Sequence, residues 1–348
     1  MNTKIIATIG PRSFDYQVLN NLINNGVDIV RLNFSHANID QLITLKKNLK
    51  KIKLETGKQI LIMQDLQGPR IRIGHLKQEI ELINNEVYVF TGGRASLANR
   101  EIQIDDPDLY KDLKVGEPFF LSNGELELRI IEIKDKKIYA RVERGGLLMS
   151  HKGINLPNTN LTRGGLTKKD INDVEAALKY GVDYIALSFV QSAADLRKLR
   201  KIIGQHPVKL IAKIERAVAL KFIDEIIKES DGIMVARGDL GIELPIEDLP
   251  IIQKNLIRHA HWHGKPAIIA TQIMTSMMEH PRPTRAEVSD IANAVLDGAD
   301  ALMLSDETAI GLFPSKAAAI MEKIIQRTEG YLNNKNYLDK NINAYYYR

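Results

Sequence analysis

The chain contains no cysteine, which excludes disulfides and thiolate metal sites and leaves the redox compartment unreadable from thiol usage. Aromatic residues make up only 6% of it, with a single tryptophan. They are not interleaved with basic residues, so a base-stacking surface for nucleic acid is excluded despite a net charge of +5 and a pI of about 9.0. The Lys and Arg are dispersed, and that basicity suits small polyanions instead. No apolar run approaches the length of a membrane span, and the N-terminus enters strand-like Lys4-Ile5-Ile6-Ala7-Thr8-Ile9 without a charged-then-apolar leader. A cytoplasmic protein is expected, with neither nucleic acid nor membrane among its partners. The 348 residues, 44% hydrophobic and 26% charged, show no bias toward disorder and leave room for one large domain plus an inserted one.

Against that background eight apolar, β-branched runs stand out: Lys4 to Ile9, Val27 to Leu32, Gln59 to Gln64, Asp183 to Leu187, Lys209 to Ile214, Gly232 to Ala236, Ala267 to Thr271 and Ala301 to Leu304. Polar or Gly residues bound them, the pattern of strands buried on both faces. Helical periodicity fills most of the intervals, as in Ile39 to Leu54, Lys168 to Lys179, Ile251 to His263, Arg285 to Leu296 and Ser315 to Thr328. This alternation predicts an α/β fold, the (β/α)8 TIM barrel, whose functional groups gather at the C-terminal ends of the strands.

Lys213-Ile214-Glu215 closes the fifth run and Arg237-Gly238-Asp239 follows the sixth. Residues two apart on a strand share a face, so Lys213 and Glu215 point together, with Asp239 beyond the next strand. An ammonium beside two carboxylates can hold a phosphoryl group and the magnesium that neutralises it. A surface ion pair plus a turn Asp is the competing reading. It gives way because the other strands also end in functional groups: Thr8 with Gly10-Pro11-Arg12, Arg31 through His36, Asp65, Ser188-Phe189, Thr271-Gln272 and Ser305-Asp306-Glu307. Unrelated surface ion pairs would not respect strand ends.

One connection is out of scale. From Asp65 to Asp183 the chain far exceeds an ordinary βα loop and is itself strand-rich, with Glu79 to Phe90, Phe119 to Leu121, Glu125 to Ile133 and Lys137 to Val142. Asn84-Asn85 and Asn123-Gly124 supply turns. The expected organisation is a barrel from residues 1–68 and 163–332, a small β-barrel-like lid from 69–162 inserted after the third strand, and a tail over 333–348. Such a lid would exclude the water that otherwise hydrolyses a phosphoryl donor.

Several segments now resemble the pyruvate kinase family. They are Thr8-Ile9-Gly10-Pro11, Arg31-Leu32-Asn33-Phe34-Ser35-His36, Gly68-Pro69 with Ile71-Arg72, Lys152 through Pro157, the Lys213 and Asp239 segments, Ala270-Thr271-Gln272, and the run from Thr284 to Asp300. The similarity keeps family order over residues 3 to 330. It implies the last step of glycolysis, phosphoryl transfer from phosphoenolpyruvate to ADP giving pyruvate and ATP, with Mg2+ (or Mn2+). The same resemblance implies that Glu215 and Asp239 bind the divalent cation, that Lys213 stabilises the phosphoryl group in flight, and that Arg31 and Arg72 steady phosphate oxygens. By the same resemblance the amides of Gly238 and Asp239, with Thr271, would cradle the substrate carboxylate. It further implies that Thr271, Ser305 and water deliver the proton to the enolate, and that Pro11, Asn33, His36 and Lys152 contact the nucleotide. Asn33, Ser35, Asp65 and the carbonyl of Leu66 match a potassium-type site.

The chain departs from the family at three places. Arg70 stands where potassium-requiring members carry Glu, and its guanidinium close to Asp65 would supply the ion's charge, so K+ is expected not to be required. Ser122-Asn123-Gly124 lacks the two aspartates the family commonly shows before this glycine, which puts a carboxylate of the lid in doubt. After the last helix only Tyr331 to Arg348 follow, where common members carry an effector domain. No sugar-phosphate allostery is therefore expected, and a homo-oligomer that is a dimer rather than a tetramer.

Other features read as structural. His259 and His263 lie four apart on a helix, but without a carboxylate in register and far from the mouth they mark a partly exposed helix end. Met274, Met277 and Met278 read as packing, Lys46 to Lys53 as a solvated helix face, and Lys168 and Lys169 as ordinary first-turn residues. Two alternatives stay open. A metal-dependent aldolase or lyase of the pyruvate-binding barrels would need neither the lid nor Lys213. A non-catalytic regulatory paralogue would place no demand on keeping Arg31, Lys213, Glu215, Asp239 and Thr271 together.

Overall fold

The structure, a computed structural model, describes residues 3–157, 159, 161–162 and 164–333; the expected tail, apart from residue 333, lies outside them. The barrel opens with β1 (Lys4–Thr8), β2 (Val27–Asn33) and β3 (Leu61–Asp65). The chain then leaves for an insert carrying β4 (Ile80–Leu82), β5 (Val87–Thr91), β6 (Glu101–Gln103), β7 (Pro118–Leu121), β8 (Leu126–Lys134), β9 (Lys137–Arg144), β10 (Gly146–Leu148) and β11 (Ile154–Asn155). It returns for β12 (Tyr184–Leu187), β13 (Lys209–Ile214), β14 (Gly232–Ala236), β15 (Ala267–Ala270) and β16 (Ala301–Leu304). The barrel is closed and parallel, in the order β1-β16-β15-β14-β13-β12-β3-β2. In the insert, a curled six-stranded sheet runs β11-β7-β8-β9-β5-β6, with β4 and β10 paired beside it. The expected run Glu79 to Phe90 is two strands, because Asn85 takes a φ of 67° that an amide side chain tolerates and turns the chain.

Alternation along the barrel strands positions the site. Ile6, Ile29, Met63, Ala186, Ile211 and Met303 pack together in the lumen, while residues of opposite parity, such as Leu210, Ala212 and Ile214, pack under the helices. The residue two beyond each lumen residue shares its direction and stands at the mouth. Those residues are Thr8, Arg31, Asp65, Ser188, Lys213 and Ser305. The outer helices include all five expected ones, as Ile39–Thr56, Lys168–Tyr180, Leu249–Trp262, Arg285–Leu296 and Pro314–Asn333.

Two crossings join insert and barrel. They meet at a neck where Arg72 and Gly153 form an antiparallel bridge and the Ile154 amide donates to the Ile71 carbonyl at 2.9 Å. The outgoing crossing turns at Gly68, whose φ of +68° lies in the left-handed region and whose amide donates to the buried carboxylate of Asp170 at 3.2 Å. That carboxylate also accepts from the Thr167 amide, closing the capping box of helix Lys168–Tyr180. A Cβ at position 68 would stand 2.9 Å from Ser188 Cβ. Gly68→Ala is therefore expected to cost about 1–3 kcal/mol, read as a lower midpoint in thermal unfolding; an unchanged melting curve would refute the strain argument.

Candidate active site

The ammonium of Lys213 stands 2.9 Å from Glu215 Oε1 and 3.1 Å from Asp65 Oδ1, and donates to Ser188 Oγ at 2.7 Å. Arg31 flanks the same Asp65: its Nε donates to Oδ2 at 2.7 Å and its Nη1 to Thr8 Oγ1 at 2.8 Å. The four charged side chains are all buried. Cations and carboxylates thus alternate along one row, Arg31, Asp65, Lys213, Glu215, each charge beside its opposite, as low-dielectric burial demands.

The protonation equilibria follow from that order. Burial raises Asp65, but Lys213 and then Arg31 outweigh it and hold the carboxyl below its usual range. Burial also works against the Lys213 charge; Asp65 and Glu215 overcome it and lift the ammonium above the ordinary lysine value. Glu215 goes the other way. Burial pushes its carboxyl up against the pull of Lys213, and the nearby Asp239 adds to the push. Two carboxylates that disfavour each other's charge are a donor set that a hard divalent cation fits.

Asp239 sits in the helix Arg237–Glu243. Arg70 Nη2 lies 3.2 Å from its Oδ1 and 3.4 Å from Asn123 Oδ1 of the insert. This corrects the expected pairing of Arg70 with Asp65: both oxygens of Asp65 are already taken by Lys213 and Arg31. Two other expected potassium ligands, Leu66 and Asn33, are engaged too. Ser188 Oγ donates to the Leu66 carbonyl at 2.7 Å, and the Ser35 amide to Asn33 Oδ1 at 3.1 Å.

A cavity of about 110 Å³ brings Arg31, Asn33, Ser35, Leu66, Lys213, Glu215, Asp239 and Thr271 onto one wall system. Beside it runs a groove of about 600 Å³ bounded by Asn123, Gly238, Asp239, Thr271 and Ser305. Thr271 has a φ of 67°, a strained conformation for a β-branched residue. In that pose its Oγ1 accepts from the Gly238 amide at 2.7 Å and donates to the Ala270 carbonyl at 2.6 Å. The Gly238 amide expected in the substrate cradle is therefore already used. Ser305 Oγ is buried and has no hydrogen-bond partner among the described residues.

Arg72, Pro11, His36 and Lys152 do not line either space. Pro11 and His36 are exposed and Lys152 half-buried. Arg72 donates to the His151 carbonyl at 3.1 Å; burial and then Arg70 lower its pKa against the pull of Asp105 and Asp239. Among the described residues no group of three or more His, Cys, Asp or Glu could hold a metal ion. Glu215 and Asp239, on one cavity wall, are two carboxylates and fall below that number.

Four further features differ from expectation or escaped it. The His259–His263 pair does meet a carboxylate, but from another helix: Asp224 Oδ1 lies 2.9 Å from His259 Nδ1 and 3.2 Å from His263 Nε2. Lys169, beyond its first-turn place, donates to the Phe34 carbonyl at 2.6 Å. Sequence reasoning passed over the Phe189 amide, which donates to Glu215 Oε2 at 2.7 Å, and the buried pair Arg216–Glu243 at 3.2 Å. Only strand parity, which turns residue 216 away from the mouth, could have raised the latter.

Fold and site together define a (β/α)8-barrel enzyme with an insert after its third strand and a row of alternating buried charges at the strand ends. A family model described as pyruvate kinase, barrel domain, matches residues 1–318. The chain belongs to the pyruvate kinase family. It is 40% identical over 332 residues to a pyruvate kinase of Thermotoga maritima, covering 94% of this chain and 71% of that protein. To one of Agrobacterium vitis it is 44% identical over 328 residues, covering 94% and 69%. A solved pyruvate kinase from Cryptosporidium parvum superposes with a TM-score of 0.90 at 38% identity, covering 94% of this chain and 69% of that one. Among the described residues no helix is long and apolar enough to cross a membrane.

Proposed function

We propose that this chain transfers the phosphoryl group of phosphoenolpyruvate to ADP, giving pyruvate and ATP, in the cavity above Lys213. The observation that carries the reading is the buried row Arg31, Asp65, Lys213, Glu215, of which Arg31, Lys213 and Glu215 line the same cavity as Asp239 and Thr271, in a member of this family. Glu215 and Asp239 would hold Mg2+ or Mn2+, which when bound supplies charge neutralisation at the substrate oxygens. Among the described residues Lys213 has three acceptors, of which Ser188 alone is neutral. Its hydroxyl is the partner that the ammonium gives up at least cost when a phosphoryl oxygen arrives. Arg31, fixed by Asp65 and Thr8, is a preorganised positive charge that need not reorient during transfer. Thr271 and Ser305, along the groove on the far side of Asp239, carry the proton toward the enolate. Arg72 steadies the phosphate, and Pro11, Asn33, His36 and Lys152 form the nucleotide rim. In this reading residues 69–162 act as a lid on the barrel of residues 1–68 and 163–332.

Potassium is not required in the same reading. Asp65, Leu66 and Asn33 already accept hydrogen bonds from the chain's own donors, and Arg70 adds a fixed positive charge to the cavity wall. Pyruvate formation from phosphoenolpyruvate and ADP with Mg2+, run in potassium and in tetramethylammonium salt, checks both points. Comparable activity in the two salts is expected. A strong potassium requirement would overturn the second point alone, and no pyruvate from folded protein in either salt would overturn the first. Family membership sets the lyase alternative aside, and the same assay answers the non-catalytic one.

A further inference from the structure

Beyond the last residue of β13 the alternation continues: Glu215 shares the face of Lys213, and Arg216 points the opposite way, toward the insert's return crossing. There Arg216 Nη2 donates to the carbonyls of Leu156 at 3.0 Å and Thr159 at 2.7 Å. Its Nε donates to Glu243 Oε2 at 3.2 Å. Glu243 closes the short helix that carries Asp239, and the same oxygen accepts from the Ala217 amide at 3.1 Å. Thr159 in turn ties the crossing to the sheet of the insert, its Oγ1 donating to Glu117 Oε2 at 3.0 Å. Arg216 and Glu243 are 5% and 6% exposed, so this is a buried charge pair with no solvent role.

One guanidinium therefore joins three bodies: the strand end bearing Glu215, the helix bearing Asp239, and the return crossing of the insert. We propose that Arg216 is a positioning residue that sets the spacing of Glu215 and Asp239 and couples that spacing to the seating of the insert. The inference rests on the reading of Glu215 and Asp239 as the divalent-cation carboxylates. Arg216 acts through backbone and Glu243, and touches neither carboxylate of the cation site. Packing alone would be served as well by apolar side chains, since a buried pair is seldom more stabilising than its hydrophobic replacement. A planar fork held by two carbonyls and a carboxylate adds direction, which packing does not.

That contrast supplies the test. Arg216→Met alone leaves Glu243 buried and unpaired, so it loses stability under either role. The double variant Arg216→Met/Glu243→Leu replaces the pair by apolar groups and is expected to regain most of the melting temperature. Mn2+ alone, without substrate, is the probe, its binding followed by electron paramagnetic resonance, beside hydrogen exchange of residues 154–157. The double variant is expected to bind Mn2+ about 10–100-fold more weakly, the usual cost of losing a group that orients a metal ligand, and to exchange faster across the crossing. Wild-type Mn2+ affinity and exchange in the double variant would overturn the proposal and leave Arg216 structural. Arg216→Lys keeps the charge beside Glu243 without the fork, and decides the case if the double variant does not fold: intermediate weakening supports positioning, unchanged affinity refutes it. Glu215→Gln is the control. If wild type binds Mn2+ no better than Glu215→Gln, the cation site itself is misassigned and the proposal falls with it.

Discussion

Lys213→Met is expected to lower pyruvate formation by about 10³-fold, the scale of removing a preorganised charge from a phosphoryl-transfer site. Methionine keeps most of the volume, so the change isolates the ammonium. In the wild type that ammonium is held between Asp65 and Glu215, and both pull its pKa up against burial, so it stays charged throughout the working range. Without it the strand end presents Glu215 and Asp65 with only Arg31 as a buried countercharge. The variant is therefore also expected to lose stability, and circular dichroism must accompany the steady-state assay. A folded Lys213→Met protein that keeps activity within about tenfold would remove Lys213 from the transfer step.

Asp65→Asn is expected to destabilise the fold by about 3–5 kcal/mol, because it leaves two buried cations sharing no carboxylate between them. At this size that corresponds to a fall in melting temperature of roughly 4–7 °C. The pH dependence gives the claim a sign. The folded-state pKa of Asp65 lies below its unfolded value, so its contribution is fully present above the unfolded pKa of about 3.9 and is lost as pH falls through the folded one. The gap between wild type and Asp65→Asn should thus be constant at neutral pH and narrow only on the acid side. A gap that narrows between pH 8 and 6 would show that some other group carries the effect.

The strand runs were legible because each is a short apolar stretch with polar ends, and the mouth residues followed from the polar groups at those ends, as with Lys213 and Glu215 closing Lys209 to Ile214. Family motifs then attached roles. Side-chain direction across loops was not legible. Arg70 sits in a crossing with no period, and nothing local chooses between Asp65 and Asp239; the choice is made by Arg31 and Lys213, which reach Asp65 first. Asp224 escaped as the partner of two histidines because it comes from the helix Ile223–Glu229, with no sequence register to theirs. Helix Tyr16–Asn24 was not singled out either, since four of its nine residues are polar Asn or Gln; its start is fixed by Asp15, which accepts from the amides of Gln17 and Val18.

The neck at Arg72 and Gly153 also bears on how the chain assembles. β3 and β12 are barrel neighbours separated by roughly 120 residues, and closing so long a loop costs conformational entropy before their pairing returns anything. If the neck and its sheet form first, the loop that remains to be closed shrinks about threefold, which lowers that entropy by roughly 1 kcal/mol. The insert, placed where it interrupts the barrel, is also the element that brings the two interrupted edges back within reach of one another.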